Sequence, residues 1–328
     1  YKKDRKSSKH LGKDKFKEDI KSYFQFMEQK FGAYEWPQFT VIQGGEGAME
    51  YPMATVMQVQ GDSYDDILST VIHEASHMWY YGMLGTDEQQ YSWMDEGFTS
   101  FAEDEVMNVL LAKNLLNPHG AYLSRFSKLA KESWIEPTGT LANYFDGKFP
   151  YQLAAYMKGS LFLVQLRGII GEDPFWSTMT RYKNEWAFKH PTPKDFLRIA
   201  EKESGMILDW YLNLWISTNK YPDIAIDSAY SNDKKMTQIS LRRIGTMAIP
   251  VDMRIVLKSG DILDYTIPLS SMFGHKKGFS VLGPWNYTQL ERVFTIDVPI
   301  ENIQRIYIDP ENWTADINRN DNVWGPKN

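Results

Sequence analysis

Two histidines four residues apart, with a glutamate directly after the first, stand in the stretch VIHEASHMWYYG at residues 71–82. That spacing constrains the fold, because side chains at i and i+4 lie one turn apart on the same face of an α-helix. On such a helix His73 and His77 can present two imidazoles to one ion while Glu74 points at a water beside it. Ile67, Val71, Ile72 and Met78 give the segment apolar company, and Tyr64-Asp65-Asp66 brings acidic residues to its first turn. The expected helix runs over 64–81.

The chain has 328 residues and no cysteine, so disulfides and thiolate metal sites are excluded and any metal must be held by histidine and carboxylate. A catalytic zinc ion usually takes three protein ligands and keeps one position for water. The stretch YSWMDEGFTSFAEDEV (91–106) offers Glu96, with eighteen residues between it and His77. A helix, a loop and the start of a second helix fit that separation and would swing Glu96 back to the ion. Glu103 lies seven residues further on, hence on the same helix face as Glu96. Two readings stay open for it: a carboxylate behind the site that accepts a ligand histidine's other N–H, or a solvated acid.

Hydrophobic residues make up 43% and aromatics 14%, a globular composition, and the net charge of −6 argues against a non-specific nucleic-acid binder. The basic lead-in YKKDRKSSKHLGKDKFK reads as solvated. No apolar run approaches the ~18 residues of a membrane helix, and no signal peptide begins at Tyr1. A start without methionine is the expectation for a fragment or a processed form. The lack of cysteine fits an oxidising setting, such as an exported or periplasmic one.

Phe16, Ile20, Phe24, Met27 and Phe31 predict an amphipathic helix over 13–31 that ends near Gly32. QFTVIQ (38–43) and ATVMQV (54–59) read as strands around the glycine-rich link GGEGAMEYP. Helical patterns then dominate: 64–81, 95–116, 119–133, 152–170, 174–186, 194–204 and 208–217. After Tyr221-Pro222 come short alternating segments, among them TQISLRRIG and VDMRIVLKSGD, which read as a small β-sandwich. The expected boundary falls near 221, giving domains at 1–220 and 221–328. His10, His119, His190 and His275 have no ligand-like spacing and read as surface or packing residues. DINRND (316–321) resembles the opening of a calcium loop. Asp321 stands where that loop needs glycine and Lys327 where it needs its closing glutamate, which excludes an EF-hand. Asn286 and Asn312 open glycosylation sequons without further context.

HEASH, eighteen residues and the glutamate of WMDEGF together resemble the gluzincin metallopeptidases, and more narrowly the aminopeptidase N family, which includes leukotriene hydrolase. GAMEY (47–51) is similar to that family's GxMEN box. AAYMKGSLFLVQLRGIIGEDPFW resembles its Tyr-x-Lys-Gly segment, and TPKDFLRIAEKESGMILDWYLNLWI the close of its helical region. The likeness covers roughly residues 10 to 217. It implies an α+β fold: a thermolysin-like zinc peptidase domain with a small sheet and a mainly helical lobe to 220, its zinc site within 47–156, followed by the β-sandwich.

The resemblance further implies one Zn²⁺ held by His73, His77 and Glu96, with Glu74 as general base and Tyr156 stabilising the oxyanion of the tetrahedral intermediate. Glu50 would bind the free α-ammonium of a peptide, making the enzyme an exopeptidase. The backbone of Gly45–Met49, which includes Gly47, Ala48 and Met49, would pair with the substrate main chain from an edge-strand position. The sequence departs from the family pattern at Tyr51, which replaces an asparagine. The N-terminal β-rich domain that usually helps enclose the substrate would precede Tyr1, so weakened activity is expected of this chain. The competing expectations are a gluzincin endopeptidase and a peptide-binding protein with a vestigial zinc site.

Overall fold

A computed structural model describes residues 13–44, 47–58, 63–231 and 235–325. His10, Gly45 and Lys327, along with most of the basic lead-in, lie outside the described residues. The chain divides into two compact units. The first takes in the chain up to His119, Gly139–Leu163 and Trp176–Ile199; the second takes in Gly120–Thr138, Val164–Phe175 and Ala200–Asn328. The units thus interleave along the chain, while the change from helices to strands falls between Ser217 and Ile224. A domain boundary near 221 is kept as a proposal.

In the first unit helix α1 (Asp14–Phe31) buries Phe16, Tyr23, Met27 and Phe31 along one face. It stops at Gly32, whose φ of 98° is open to glycine and strained for other residues. A three-stranded sheet follows, in the order β1 (Thr40–Gln43), β3 (Ala54–Met57), β2 (Ala48–Tyr51). β1 runs parallel to β3 and β2 antiparallel to it. The stretch read from sequence as a glycine-rich link therefore contains a third strand, β2, at the edge of this sheet. It escapes a periodicity reading because it is four residues long and only Glu50 in it is buried.

Helix α2 (Tyr64–Ser76) begins with a capping box: Ser63 accepts from the Asp66 N–H while the Asp66 carboxylate accepts from the Ser63 N–H. It ends at Ser76, five residues before the expected end at 81. Beyond it the backbone widens, with Gly82, Met83 and Leu84 donating to carbonyls five residues back at His77, Met78 and Trp79. The expected helix 95–116 has two parts, a π-helical turn over Trp93–Gly97 and helix α4 (Phe98–Leu110), after a short α3 (Glu88–Ser92). It stops early because Ala112 and Asn114 take positive φ.

In the second unit α5 (Gly120–Leu129) packs Phe126 on Trp215 of the helix Asp209–Ser217. The strands form two sheets, β11-β10-β6-β7-β8 and β4-β5-β9, spanning Ile224–Tyr230 (β4), Thr237–Arg243 (β5), Val251–Leu257 (β6), Ile262–Ile267 (β7), Ser280–Val281 (β8), Glu291–Ile296 (β9), Ile303–Ile308 (β10) and Val323–Trp324 (β11). Alternation is plainest in β5, where Thr237, Ile239, Leu241 and Arg243 are buried and the residues between them face outward. The second unit thus combines helices with two small sheets, and the fold class is mixed α+β.

From Lys148 the chain runs helically for 23 residues to Ile170: α6 (Lys148–Gln152), a second π-helical turn (Leu153–Lys158) and α7 (Gly159–Ile170). By length and composition this stretch is long and apolar enough to cross a membrane, a feature the sequence reading overlooked. Most of it is buried inside the protein.

Candidate metal centre

All the groups singled out around the two histidines lie in the first unit. His73 sits in the last turn of α2 and His77 caps its C-terminal end. Nε2 of His73 and Nε2 of His77 lie 3.3 and 3.5 Å from the same Glu96 oxygen, Oε2. A nitrogen from each histidine and an oxygen of Glu96 thus fall within 4.8 Å of one another. Donor atoms of Glu50, Glu74 and His77 meet the same limit, so the two sets share His77 and describe one cluster.

The far nitrogens of both rings are already engaged. His73 Nδ1 meets Glu103 Oε2 at 3.0 Å, and Glu103 also accepts from the Ser69 hydroxyl. His77 Nδ1 meets Asp95 Oδ1 at 2.6 Å, with the Tyr80 carbonyl and Thr99 hydroxyl both at 3.2 Å. Carboxylates on Nδ1–H leave Nε2 of each ring facing Glu96, and in the neutral tautomer that nitrogen carries the lone pair a metal ion takes. Asp95 was missed by the sequence reading. Neighbouring residues on an α-helix do not face a common partner. Here the imidazole of His77 lies between Asp95 and Glu96, one ring nitrogen toward each.

Charge is unevenly settled in this cluster. Burial opposes an imidazolium at His73, but its hydrogen bonds to Glu103 and Glu96 raise its pKa to about 9. Burial likewise opposes the charge on His77, and the charge of Asp95 outweighs it and raises the pKa. Burial would raise Glu96, yet the two histidines hold it well below the usual carboxylate range. Burial pushes Glu74 up to about 7 against the pull of His73 and His77, and its Oε2 is buried with no hydrogen-bond partner. An orphaned carboxylate oxygen beside two nitrogens and a carboxylate is the donor chemistry of a divalent cation and its water. The residues fit zinc.

Tyr156 lies on the second π-helical turn and donates to Glu96 Oε1 at 2.5 Å, its ring stacked on His73 with centroids 5.8 Å apart. Burial and the Glu96 charge raise its pKa, which keeps the hydroxyl protonated and able to donate. The two π-helical turns meet at a pair of glycines. A Cβ on Gly97 would lie 2.5 Å from Gly159 Cα, and one on Gly159 would lie 2.8 Å from the Trp93 carbonyl oxygen. This backbone approach brings Tyr156 against Glu96. π-Helical turns are rare and are found often at functional sites.

Glu50 is 9% exposed and turned inward on the edge strand, whereas Met49 and Tyr51 on either side are 47% and 50% exposed. Ala48 and Met49 lie on the same edge strand, and Gly47 precedes it with a φ of 86°. His119 is fully buried between Asp104 and Glu105, at 2.9 and 3.1 Å, in keeping with a packing role.

Residues 15–215 match the Peptidase family M1 domain. Human aminopeptidase B is 23% identical over 242 residues, covering 64% of this chain and 35% of that protein. Aminopeptidase N of Streptomyces lividans is 23% identical over 228 residues, covering 64% of this chain and 27% of that protein. The solved aminopeptidase A of Legionella pneumophila, in complex with aspartic acid, has a similar fold. Its TM-score is 0.70 at 17% identity, over 94% of this chain and 35% of that one. The chain spans about a third of the length of these proteins. The family match covers more than half of the chain and includes both histidines, Glu96 and Tyr156: this chain belongs to peptidase family M1.

Proposed function

We propose that this chain carries the centre of a zinc-dependent aminopeptidase, with His73, His77 and Glu96 holding one Zn²⁺. The observation that carries the reading is the convergence of both Nε2 atoms on Glu96 Oε2, with the Glu50 and Glu74 carboxylates in the same cluster. When bound, zinc supplies a Lewis acid that polarises the scissile carbonyl and lowers the pKa of water toward about 7.

The chain's own residues do the rest. Glu74, buried and with an orphaned oxygen, takes the proton of the attacking water and delivers it to the leaving amine. Tyr156 donates a hydrogen bond from its hydroxyl to the oxyanion as the carbonyl becomes tetrahedral. Glu50, inward on its edge strand, takes the substrate's α-ammonium in a charge-assisted hydrogen bond and so sets the first peptide bond at the reacting centre. The unpaired side of β2 accepts the substrate backbone as an added strand. Aminopeptidase B and aminopeptidase N among the relatives support removal of single N-terminal residues. The partners are peptides with a free N-terminus.

The test is hydrolysis of an aminoacyl-arylamide by the zinc-loaded chain and by Glu74→Gln, alongside cleavage of free and N-acetylated peptides. Turnover by wild type that the variant loses, with acetylated peptides spared, is expected. Equal rates for wild type and variant would overturn the catalytic reading, and equal cleavage of both peptides would leave an endopeptidase.

A further inference from the structure

Glu88 opens α3 and has no part in the mechanism above. Its place in the first unit is fixed on both sides. Asp87 caps the helix ahead of it, accepting from the Gln89 N–H at 3.0 Å. The Gln89 side-chain oxygen accepts from the Asn143 amide at 2.9 Å, which ties α3 to the segment leading to Tyr151 and Tyr156. Asp87 and Gln89 are exposed, while Glu88 between them is half-buried.

Glu88 and Glu50 face the same two tyrosines. Burial and then the charges of Glu88 and Glu50 raise the pKa of Tyr81. Burial and then the charges of Glu96, Asp95, Glu88 and Glu50 raise that of Tyr151. Tyr151 sets its ring edge-on to Tyr156, centroids 6.3 Å apart, and Tyr156 donates to Glu96. Glu50 reaches the centre itself, with a carboxylate oxygen within 4.8 Å of donor atoms on Glu74 and His77. Tyr81 follows the widened end of α2 with a φ of 120°, a conformation that bulky residues rarely adopt. Among the described residues neither Glu50 nor Glu88 makes a hydrogen bond or an ion pair. Burial, then the charges of Asp95 and Glu50, push Glu88 up to about 7 against the pull of His77. The α-ammonium of a substrate pairs Glu50 and leaves Glu88 without a cation.

We propose that Glu88 is a specificity-determining residue that receives the cationic side chain of a lysine or arginine at the first position of the peptide. The inference rests on the aminopeptidase reading above and names the substrate class it favours. Two carboxylates on separate elements, an edge strand and a helix start, suit two separate charges on one residue. A neutral first side chain leaves the Glu88 carboxylate desolvated and unpaired, whereas a cationic one supplies a charge-assisted hydrogen bond. An acidic one adds a like charge to Glu50, Asp95 and Glu96. The aromatic faces of Tyr81 and Tyr151 suit a cation as well.

The experiment compares lysyl- and norleucyl-arylamide on the full zinc-loaded chain, two substrates that share a stem and differ in the terminal ammonium. Wild type should favour the lysyl substrate in kcat/KM by about 10–100-fold. Glu88→Gln should cut that ratio by about tenfold or more, and Glu88→Lys should invert it. Partial unfolding or lost zinc lowers both rates together and leaves the ratio unmoved. Equal kcat/KM on the two substrates in wild type would overturn the proposal while leaving the aminopeptidase reading intact. So would a ratio unchanged in both variants, including an equal loss on both substrates, which would assign Glu88 to the α-ammonium or to the fold. Turnover of neither substrate by wild type would overturn the aminopeptidase reading, and this inference with it.

Discussion

Asp95 Oδ1 lies 2.6 Å from Nδ1 of His77, and the pair is almost wholly buried, with side chains 5% and 1% exposed. The carboxylate fixes which nitrogen of the ring carries the proton and therefore which one is free to ligate. Such a partner is typically worth about 10–100-fold in metal affinity. Asp95→Asn should lower zinc affinity by that factor, measured by competition with a chromophoric chelator. Unaltered affinity would mean that the ring is oriented by the Tyr80 carbonyl and Thr99 instead.

The glycine pair between the π-helical turns has a direct consequence. A methyl group at residue 159 would sit 2.8 Å from the Trp93 carbonyl and 2.9 Å from Gly97 Cα, both backbone atoms that cannot swing aside. Gly159→Ala should separate the two turns, lower the melting temperature by several degrees, and reduce kcat more than zinc content. Overpacking of this kind costs about 1–3 kcal/mol. A variant as stable and as active as wild type would show that the turns can part without loss.

For Tyr156 the expected signature is kinetic. Tyr156→Phe removes a donor from the oxyanion but keeps the ring stacked on His73. The rate constant kcat should fall by about 10²–10³-fold with KM little changed. A rise in KM with kcat intact would assign the residue to ground-state binding.

Glu50→Gln keeps size and polarity and removes the charge. Hydrogen bonds to charged groups contribute about 1.5–3 kcal/mol, so the preference for a free over an acetylated N-terminus should shrink by about 10–100-fold. Paired kcat/KM values on the two peptides read this directly. A preference that survives would move the ammonium site elsewhere.

Lys158 is fully buried, and burial lowers its pKa to about 7. Below that pH both folded and unfolded chains carry the charge, and the cost of burying it is fully present. Between about 7 and the ordinary lysine value of 10.5 the unfolded chain still binds a proton that the folded chain has released, so this residue's contribution makes stability rise with pH. The difference in unfolding free energy between Lys158→Met and wild type should therefore favour the variant most near pH 6 and shrink toward pH 10. Denaturant titrations across that range give the measurement, and a pH-independent difference would contradict it.

Much of this centre is legible along the chain because its key spacing is local. The i, i+4 histidines need only a helix, the glutamate beyond them only a second one, and the switch from a helical to a two-residue period marks where strands begin. The resemblance to a known family then directs attention to Glu50 and Tyr156, which no periodicity singles out among many glutamates and tyrosines. What the chain alone determined is therefore the helix that pairs His73 with His77, the carboxylate available to join them, and the mixed α+β class. Tertiary structure decided the rest. It ended α2 at Ser76, set Asp95 rather than a residue one turn away against His77, and brought Tyr156 to Glu96 through two glycines sixty-two positions apart. The physical reason is range: helical periodicity reports which residues share a face, whereas hydrogen bonds across elements depend on how closely two backbones can approach.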